Sequence, residues 1–288
     1  MRYRSNNILA LVPPCEDGAA VLKQVLFFQQ ALGMNIFVYQ IIKKPSLLET
    51  LFHAKRAKNT RLDALNRLRE FTETSIPARA QKHFTYRIKN GDPLPVLLRQ
   101  SKKGGYEFLI VNKSGTSCSM DPSDIEKLIS KANCPVMVVN KDYVVSDISK
   151  IIIPVDVLQS TPKKLLWATY FAKKYKAKVI IVSVLTINIE KKQSLAWRNA
   201  EKLKHILVQR GIQCDVSIIK APGAEKHAVI LDFIRNEKPG MVILRTHQDS
   251  GNYNTKIGSF VSRLVHESIV PVFTVNLAVY QMPVDFQD

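Results

Sequence analysis

Short apolar runs recur along the chain and are separated by longer segments that mix apolar and polar residues. The clearest runs are "IIIPV" at 151–155 and "VIIVSVL" at 179–185. Each has the length of one strand and almost no polar positions, which is typical of strands in a parallel sheet covered on both sides. We therefore predict buried parallel strands at both places.

The segments between these runs have a helical period. Residues 161–175 and 190–210 place an apolar side chain at every third or fourth position, which gives each helix one apolar face. Gly211 follows the second segment, and glycine commonly ends a helix because it readily adopts a left-handed conformation. The recurring apolar positions are Leu165, Ala168, Ala172, Tyr175, Ala196, Ala200, Leu203 and Leu207.

The whole succession of strands and helices occurs twice. The matching fragments are "NILALVP" (7–13) with "KIIIPVD" (150–156), "MNIFVYQII" (34–42) with "KVIIVSVLT" (178–186), "YEFLIVNK" (106–113) with "GMVILRTH" (240–247), and "PVMVVN" (135–140) with "PVFTVN" (271–276). We predict two tandem α/β domains, 1–147 and 148–288, each a five-stranded parallel sheet with helices on both faces. Ligands of such sheets bind at the carboxyl ends of the strands, where the strand order reverses.

Charge is strongly positive but evenly divided. The chain has 288 residues and a net charge of +18. Residues 1–147 contain 22 basic and 13 acidic residues, and residues 148–288 contain 20 basic and 11 acidic residues, so each half carries a charge of +9. The local clusters, Lys55 to Arg61 and Lys163 to Lys178, lie in helical segments. We interpret them as solvated helix faces and expect no nucleic-acid partner, with polyanion binding left as the alternative.

Several classes of site have no support in the pattern. The cysteines at 15, 118, 134 and 214 have no C-x-x-C spacing, so neither zinc nor thioredoxin-like chemistry is indicated. There is no phosphate-binding G-x-x-x-x-G-K-[ST] motif, no nucleophile elbow, and no histidine at metal-ligand spacing. No apolar run is long enough to cross a membrane, and the N-terminus is not a convincing signal peptide, so we expect a cytoplasmic location.

The fragments of the second half resemble a known family in their order. "KIIIPVD" resembles the first strand of a universal stress protein domain, "PGMVILRTH" its fourth strand, and "IGSFVSRLVHESIVPVFTV" its last helix and strand. The whole chain is similar to the tandem form of that family. The resemblance implies an adenine nucleotide alpha hydrolase-like fold, a non-enzymatic role in the stress response, and pairing of the two domains as a pseudo-dimer through their last strands.

The resemblance also implies a nucleotide site. Nucleotide-binding members carry Gly, two residues, Gly, nine residues, and then Gly-Ser or Gly-Thr. The matching positions here are Arg245, Gln248, Gly258 and Ser259, so the spacing is kept but the first two glycines are replaced. In such members an aspartate at the end of the first strand contacts the adenine or its sugar, and Asp156 occupies that place.

Three more residues complete the predicted cofactor-binding set. Thr246 and His247 follow the fourth strand, and Phe260 follows Ser259. The N–H groups at the start of the last helix suit an anion. Gln248, however, adds a side chain where glycine would let the backbone approach a phosphate, so we expect weak binding of ATP or another adenine nucleotide.

The first half has diverged further at the same positions. Pro13 stands where the second half has Asp156, and Asn112 and Gly115 match Arg245 and Gln248. The segment "SDIE" (123–126) has the pattern of a capping box between Ser123 and Glu126, which starts a helix without a ligand. We therefore expect any nucleotide to bind in the second half.

Two other functions stay open beside the non-enzymatic one. A nucleotide-dependent switch or weak ATPase would use Asp156 and Gly258-Ser259, although no general base or pair of metal-binding carboxylates is evident for it. A polyanion-binding module would use the positive charge. The partners that we expect are the other domain, an unidentified protein and, as an alternative, a second copy of the chain. We expect no metal and no membrane.

Overall fold

The computed structural model describes residues 6–44, 54–113, 120–143, 145–155, 162–246 and 257–276; in the helices that begin at 54 and 162, side chains are described from 59 and 165. The chain divides into two compact units, domain 1 (Met1–Val144) and domain 2 (Val145–Asp288). No helix in the described ranges is both long enough and apolar enough to cross a membrane.

Domain 1 contains a five-stranded parallel sheet in the order β3-β2-β1-β4-β5. Its strands are β1 (Asn7–Leu11), β2 (Asn35–Ile42), β3 (Phe84–Asn90), β4 (Phe108–Asn112) and β5 (Val136–Val139), and its helices are α1 (Glu16–Leu32), α2 (Ala54–Ser75), α3 (Ala78–Gln81), α4 (Pro93–Lys103) and α5 (Pro122–Lys131). Helices α1 and α2 contact each other, as do α4 and α5. Right-handed crossovers place these two pairs on opposite faces of the sheet.

Domain 2 has the same topology, with the strand order β10-β9-β6-β7-β8. Its strands are β6 (Lys150–Pro154), β7 (Lys178–Leu185), β8 (Cys214–Lys220), β9 (Met241–Arg245) and β10 (Val272–Val275). Its helices are α6 (Pro162–Tyr175), α7 (Leu195–Gln209), α8 (Lys226–Glu237) and α9 (Ser259–Glu267), with a 3₁₀ turn at Lys191–Gln193. The predicted fold class, two tandem parallel α/β domains, is confirmed.

The core of domain 2 lies on both sides of its sheet, with α6 and α7 on one side and the buried Ile230 of α8 and Leu264 of α9 on the other. Trp167 is 1% exposed, and its ring centroid lies 5.0 Å from that of Phe273 and 5.7 Å from that of Phe171. The predicted positions Leu165, Ala168 and Ala172 are buried as well, so α6 is buried over more of its surface than the period alone predicted. The apolar face of α7 is likewise buried through Ala196, Ala200, Leu203 and Leu207.

Two predicted helix starts differ from the structure. Helix α7 begins at Leu195, because the Ser194 hydroxyl accepts a hydrogen bond from the Trp197 N–H at 3.1 Å and caps the helix there. The predicted capping box between Ser123 and Glu126 is wrong. Helix α5 begins at Pro122, with its N-cap at Asp121, so Ser123 already lies inside the first turn. Proline suits the first helical position because its fixed φ is helical and it needs no N–H partner there.

Candidate functional site

A cavity of about 520 Å³ opens in domain 2 at the carboxyl ends of β6 and β7. Strand β6 pairs with β7 on one side and with β9 on the other. The chain runs outward from β6 through β7 to β8 and then returns to β9, so the strand order reverses beside β6. The cavity therefore lies where open parallel sheets commonly bind their ligands.

The floor of the cavity is mainly apolar and is formed by the ends of two strands and one helix. Val182 and Val184 of β7 are 0% and 5% exposed, and Ile230 of α8 is 1% exposed. Beyond the end of β6, the Val155 N–H donates to the Val182 carbonyl at 2.9 Å and keeps the two strands together up to the cavity. Such a floor can accept the flat face of a planar apolar group.

One wall is a loop between β8 and α8, residues 221–225. Its Ala221 N–H donates to the Leu185 carbonyl at 2.9 Å, and its Gly223 N–H donates to the Thr186 carbonyl at 3.2 Å. These bonds attach the loop to the end of β7. Gly223 has φ of +73°, a conformation that residues with a Cβ adopt only at a cost. The loop is therefore held against the cavity by its backbone.

The rim of the cavity carries charge at the start of α8. Lys226 and His227 are both half-buried and both line the cavity, beside the N-cap residue Glu225. The His227 Nδ1 lies 3.7 Å from a carboxylate oxygen of Glu225, whose side chain is 82% exposed. Lys226 and Glu225 therefore bring charges of opposite sign to this part of the rim.

The opposite side of the cavity is the start of α9. Gly258 is the N-cap residue, and its carbonyl accepts from the Ser262 N–H at 3.0 Å. Ser259 is exposed, Phe260 is half-buried, and both line the cavity. The first N–H groups of a helix have no acceptor within the helix, so an anion at this end of the cavity would find hydrogen-bond donors.

The sequence-predicted site residues are only partly brought together by the described structure. Ser259 and Phe260 line the cavity, and Gly258 immediately precedes them. Asp156, His247 and Gln248 lie outside the described residues. The two remaining residues, Arg245 and Thr246, do not line the cavity.

Those two residues stand at the end of β9. Arg245 is half-buried, and burial lowers the pKa of its guanidinium from its ordinary value. Thr246 is fully buried, and its N–H donates to the Val275 carbonyl at 3.2 Å, which continues the pairing of β9 with β10. Their assignment to a nucleotide site stays a prediction.

Several cavity residues had not been predicted. They are Val182, Ser183, Val184, Thr186, Gly223, Ala224, Glu225, Lys226, His227 and Ile230. The one local signal was "APGAE" at 221–225, a Pro-Gly turn after a strand. A turn signal identifies a loop but not what the loop faces, so only the sheet order shows that this segment reaches the end of β7.

The corresponding corner of domain 1 is tightly packed. Helix α1 begins directly after β1, and a Cβ added to Gly18 would lie 1.7 Å from the Pro13 carbonyl oxygen. Asn112, the counterpart of Arg245, is 5% exposed. Within the described ranges of the chain, no group of three or more His, Cys, Asp or Glu side chains could hold a metal ion.

Comparison with known proteins agrees with this architecture. The family model described as "Universal stress protein family" matches residues 148–276. A universal stress protein from Archaeoglobus fulgidus has a TM-score of 0.71 at 18% identity, over 95% of this chain and 99% of that chain. A functionally unknown protein from Pseudomonas aeruginosa has a TM-score of 0.62 at 15% identity, over 94% and 92% of the two chains.

A further structure covers one domain. A universal stress protein from Archaeoglobus fulgidus, solved in complex with dAMP, matches 45% of this chain and 98% of its own at 15% identity, with a TM-score of 0.37. The comparison with curated proteins found no significant match. Residues 148–276 thus match the universal stress protein family model, and both domains have the fold of the solved universal stress protein that covers the whole chain.

Proposed function

We propose that domain 2 binds a small anionic ligand, with an adenine nucleotide as the best candidate, and that the chain acts in a stress response without catalysing a reaction. The observation that carries this proposal is the cavity at the ends of β6 and β7. It combines an apolar floor with two helix starts, those of α8 and α9. A nucleotide has the matching parts, a planar base and a phosphate.

The orientation of the nucleotide follows from the chemistry of the two ends of the cavity. The apolar side chains Val182, Val184 and Ile230 line the floor of the cavity, so the base belongs at that end. Ser259 lies on the side of the cavity where the N–H groups of α9 are available, so the phosphate belongs there. Lys226 adds a positive charge on the rim. Asp156 is expected to add a contact, as the family motif implies, whereas Gln248 places a side chain where that motif has glycine.

Titration calorimetry with ATP, ADP, AMP and adenosine tests this proposal. We expect dissociation constants weaker than about 1 μM, which is a binding free energy smaller in magnitude than about 8 kcal/mol. The phosphorylated ligands should bind more tightly than adenosine, because only they use the α9 end. Absence of binding by all four ligands would refute the proposal.

A negative charge introduced at the phosphate end gives the most direct test by mutation. Ser259→Asp adds a carboxylate beside the expected phosphate, while an acidic residue in the first helical turn favours folding of α9. We expect a loss of about tenfold in affinity for AMP and little change for adenosine, since 1.4 kcal/mol corresponds to tenfold. Ser262→Asp, on the same helix but outside the cavity, is the matched control.

The altered loop can be tested separately. If the side chains at 245 and 248 crowd the phosphate, the double change Arg245→Gly and Gln248→Gly should strengthen ATP binding about five- to thirtyfold, a gain of about 1–2 kcal/mol. If Arg245 instead contacts the phosphate, Arg245→Gly alone should weaken binding. The same titrations distinguish the two cases.

The absence of catalysis is a separate expectation. Phosphoryl transfer depends on groups that position the γ-phosphate and a metal ion. We expect no sustained release of phosphate from ATP in the presence of Mg²⁺. Steady release that is abolished by Asp156→Ala would favour the ATPase alternative. The pairing of the two domains stays a prediction from the sequence, which small-angle scattering of the whole chain would test.

A further inference from the structure

Five cationic side chains lie on the outer strand of the domain 1 sheet and on two of the helices beside it. Arg87 and Lys89 lie on β3, which is the outer strand, Arg99 and Lys103 on α4, and Arg61 on α2. Residues two apart on a strand share a side, and residues four apart on a helix share a face. We call this set the β3-edge cation cluster.

The charges of the other four residues act on Lys89. Burial lowers the pKa of the Lys89 ammonium, and the positive charges of the other four residues lower it further. Lys89 is half-buried, while Arg61, Arg87, Arg99 and Lys103 are exposed. The cluster is therefore accessible to a partner, and mutual repulsion makes it receptive to negative charge.

No carboxylate of the described residues forms an ion pair with any of the five cations. The outer strand of domain 2 differs in this respect. There, Lys178 Nζ lies 2.5 Å from an Asp215 carboxylate oxygen, and Lys220 Nζ lies 3.4 Å from a Glu190 carboxylate oxygen. The same edge of the same fold is thus neutralised in one domain and left positive in the other.

The composition of the cluster indicates the chemistry of its partner. Three of the five residues are arginines, whose planar forks bind phosphate oxygens in pairs. Arg87 is also supported on a ring, since its guanidinium carbon lies 5.8 Å from the Phe37 centroid. Several cations along one edge suit a partner with several regularly spaced negative charges, as in a nucleic-acid backbone.

The apolar surface nearby argues against a membrane or an acidic protein. A membrane-binding face inserts apolar side chains, and a protein interface has an apolar centre. Among the described residues of domain 1, Leu62 is the one large apolar side chain that is strongly exposed, at 55%. The surface around the cluster is therefore polar and positively charged, which is the character of nucleic-acid interfaces.

We propose that the β3-edge cation cluster of domain 1 binds the phosphate backbone of a nucleic acid, without reading its sequence. This surface belongs to domain 1 and is independent of the cavity of domain 2. The sequence analysis had discounted such a partner, because it interpreted the basic clusters along the chain as solvated helix faces.

Fluorescence anisotropy with the full chain tests the proposal. The probes are a labelled DNA duplex of roughly 20 base pairs and a labelled single-stranded RNA of the same length. Affinity for at least one probe should fall steeply as salt rises from about 50 to about 200 mM, because bound cations displace counterions. Lack of binding to both probes at the lower salt would overturn the proposal.

A variant with three neutralised cations locates the surface. The triple change Arg87→Gln, Lys89→Gln and Arg99→Gln should raise the dissociation constant about tenfold. With duplex DNA it should also reduce the slope of log affinity against log salt by up to about 3, since each of the three lost phosphate contacts removes about 0.9. Circular dichroism melting checks that the variant folds.

A matched control separates this surface from net charge. Lys192, Arg198 and Lys202 are exposed cations of domain 2, and changing all three to Gln removes the same charge. The control variant should bind within about twofold of the parent chain. Equal weakening by both triples would overturn the proposal. The proposal would also be overturned if the parent chain bound phosphatidylserine vesicles but neither nucleic acid, and if the Arg87, Lys89 and Arg99 variant lost that vesicle binding.

Discussion

Gly18 lies at a position in domain 1 where the effect of one added methyl group on stability can be worked out from the structure. A Cβ at this residue would lie 1.7 Å from the Pro13 carbonyl oxygen and 2.9 Å from its carbon. Ordinary carbon–oxygen contacts begin at about 3.3 Å, so the two groups would have to separate by roughly 1.5 Å. Both are backbone or backbone-attached atoms, so no flexible side chain can move out of the way.

Two opposing effects decide the outcome of Gly18→Ala. Alanine is favoured over glycine inside a helix by about 1 kcal/mol. Separation of α1 from the end of β1 would disturb the Cys15 N–H bond to the Pro13 carbonyl, which is 2.9 Å long, and would shift the buried side chains Val21 and Leu22. Overpacking of this kind costs about 1–3 kcal/mol and often more when backbone must move. Because the clash is with backbone, we take the upper end of this range, about 3 kcal/mol, and expect a net loss of about 2 kcal/mol.

Urea denaturation followed by two probes measures this loss. Both tryptophans, Trp167 and Trp197, belong to domain 2, so their fluorescence reports on that domain while far-ultraviolet circular dichroism reports on both. With a slope of about 2 kcal/mol per molar, the domain 1 midpoint should fall by about 1 M. Ala20→Gly in the same helix should cost only about 1 kcal/mol. An increase of the midpoint for Gly18→Ala would refute the steric reasoning.

Three further predictions concern the cores and the ionisable groups. Trp167→Ala should destabilise domain 2 by about 3–5 kcal/mol, as seen by denaturant unfolding, because the ring is 1% exposed and packed against other aromatic rings. Iodoacetamide at pH 8, with peptide mass spectrometry, should label half-buried Cys15 well before Cys134, because burial raises the pKa of the Cys134 thiol; rapid labelling of Cys134 in the native chain would contradict this. Burial and the Glu73 carboxylate raise the pKa of Tyr86 to about 12. Since the unfolded phenol ionises near 10, its contribution to stability is complete below pH 10 and is lost between pH 10 and 12, so Tyr86→Phe should make the alkaline decline of the domain 1 midpoint shallower.

The periodicity of the chain predicted the elements well, because local pattern reports on burial. Apolar runs marked β6 and β7, and three- and four-residue spacing marked α6 and α7. Helix starts were less certain, since several local choices have similar energies. The structure places the N-cap of α5 at Asp121 and lets Pro122 begin the helix, where the sequence pattern had favoured Ser123.

The candidate site was only partly predictable for a different reason. Ser259 and Phe260 were identified because they follow a spaced motif along the chain. The wall at Gly223 and the charged rim at Lys226 were not, because their position against β7 depends on the order of strands in the sheet. A motif compares positions along one dimension, whereas a cavity is lined by residues from segments that meet only after folding.

The sequence by itself therefore determined the class of fold, its duplication and the helix that faces the cavity. These features follow from the burial of apolar side chains in each helix or strand. The spacing of apolar residues within a segment is therefore enough to predict them. Tertiary structure alone decided which charges are neutralised. Lys178 and Asp215 are distant in the sequence but adjacent in domain 2, whereas the charges of Arg61 and Lys103 act on Lys89 in domain 1 with no described carboxylate paired to them. Electrostatic interactions depend on distance in space, and a count of charges along the chain does not contain that distance.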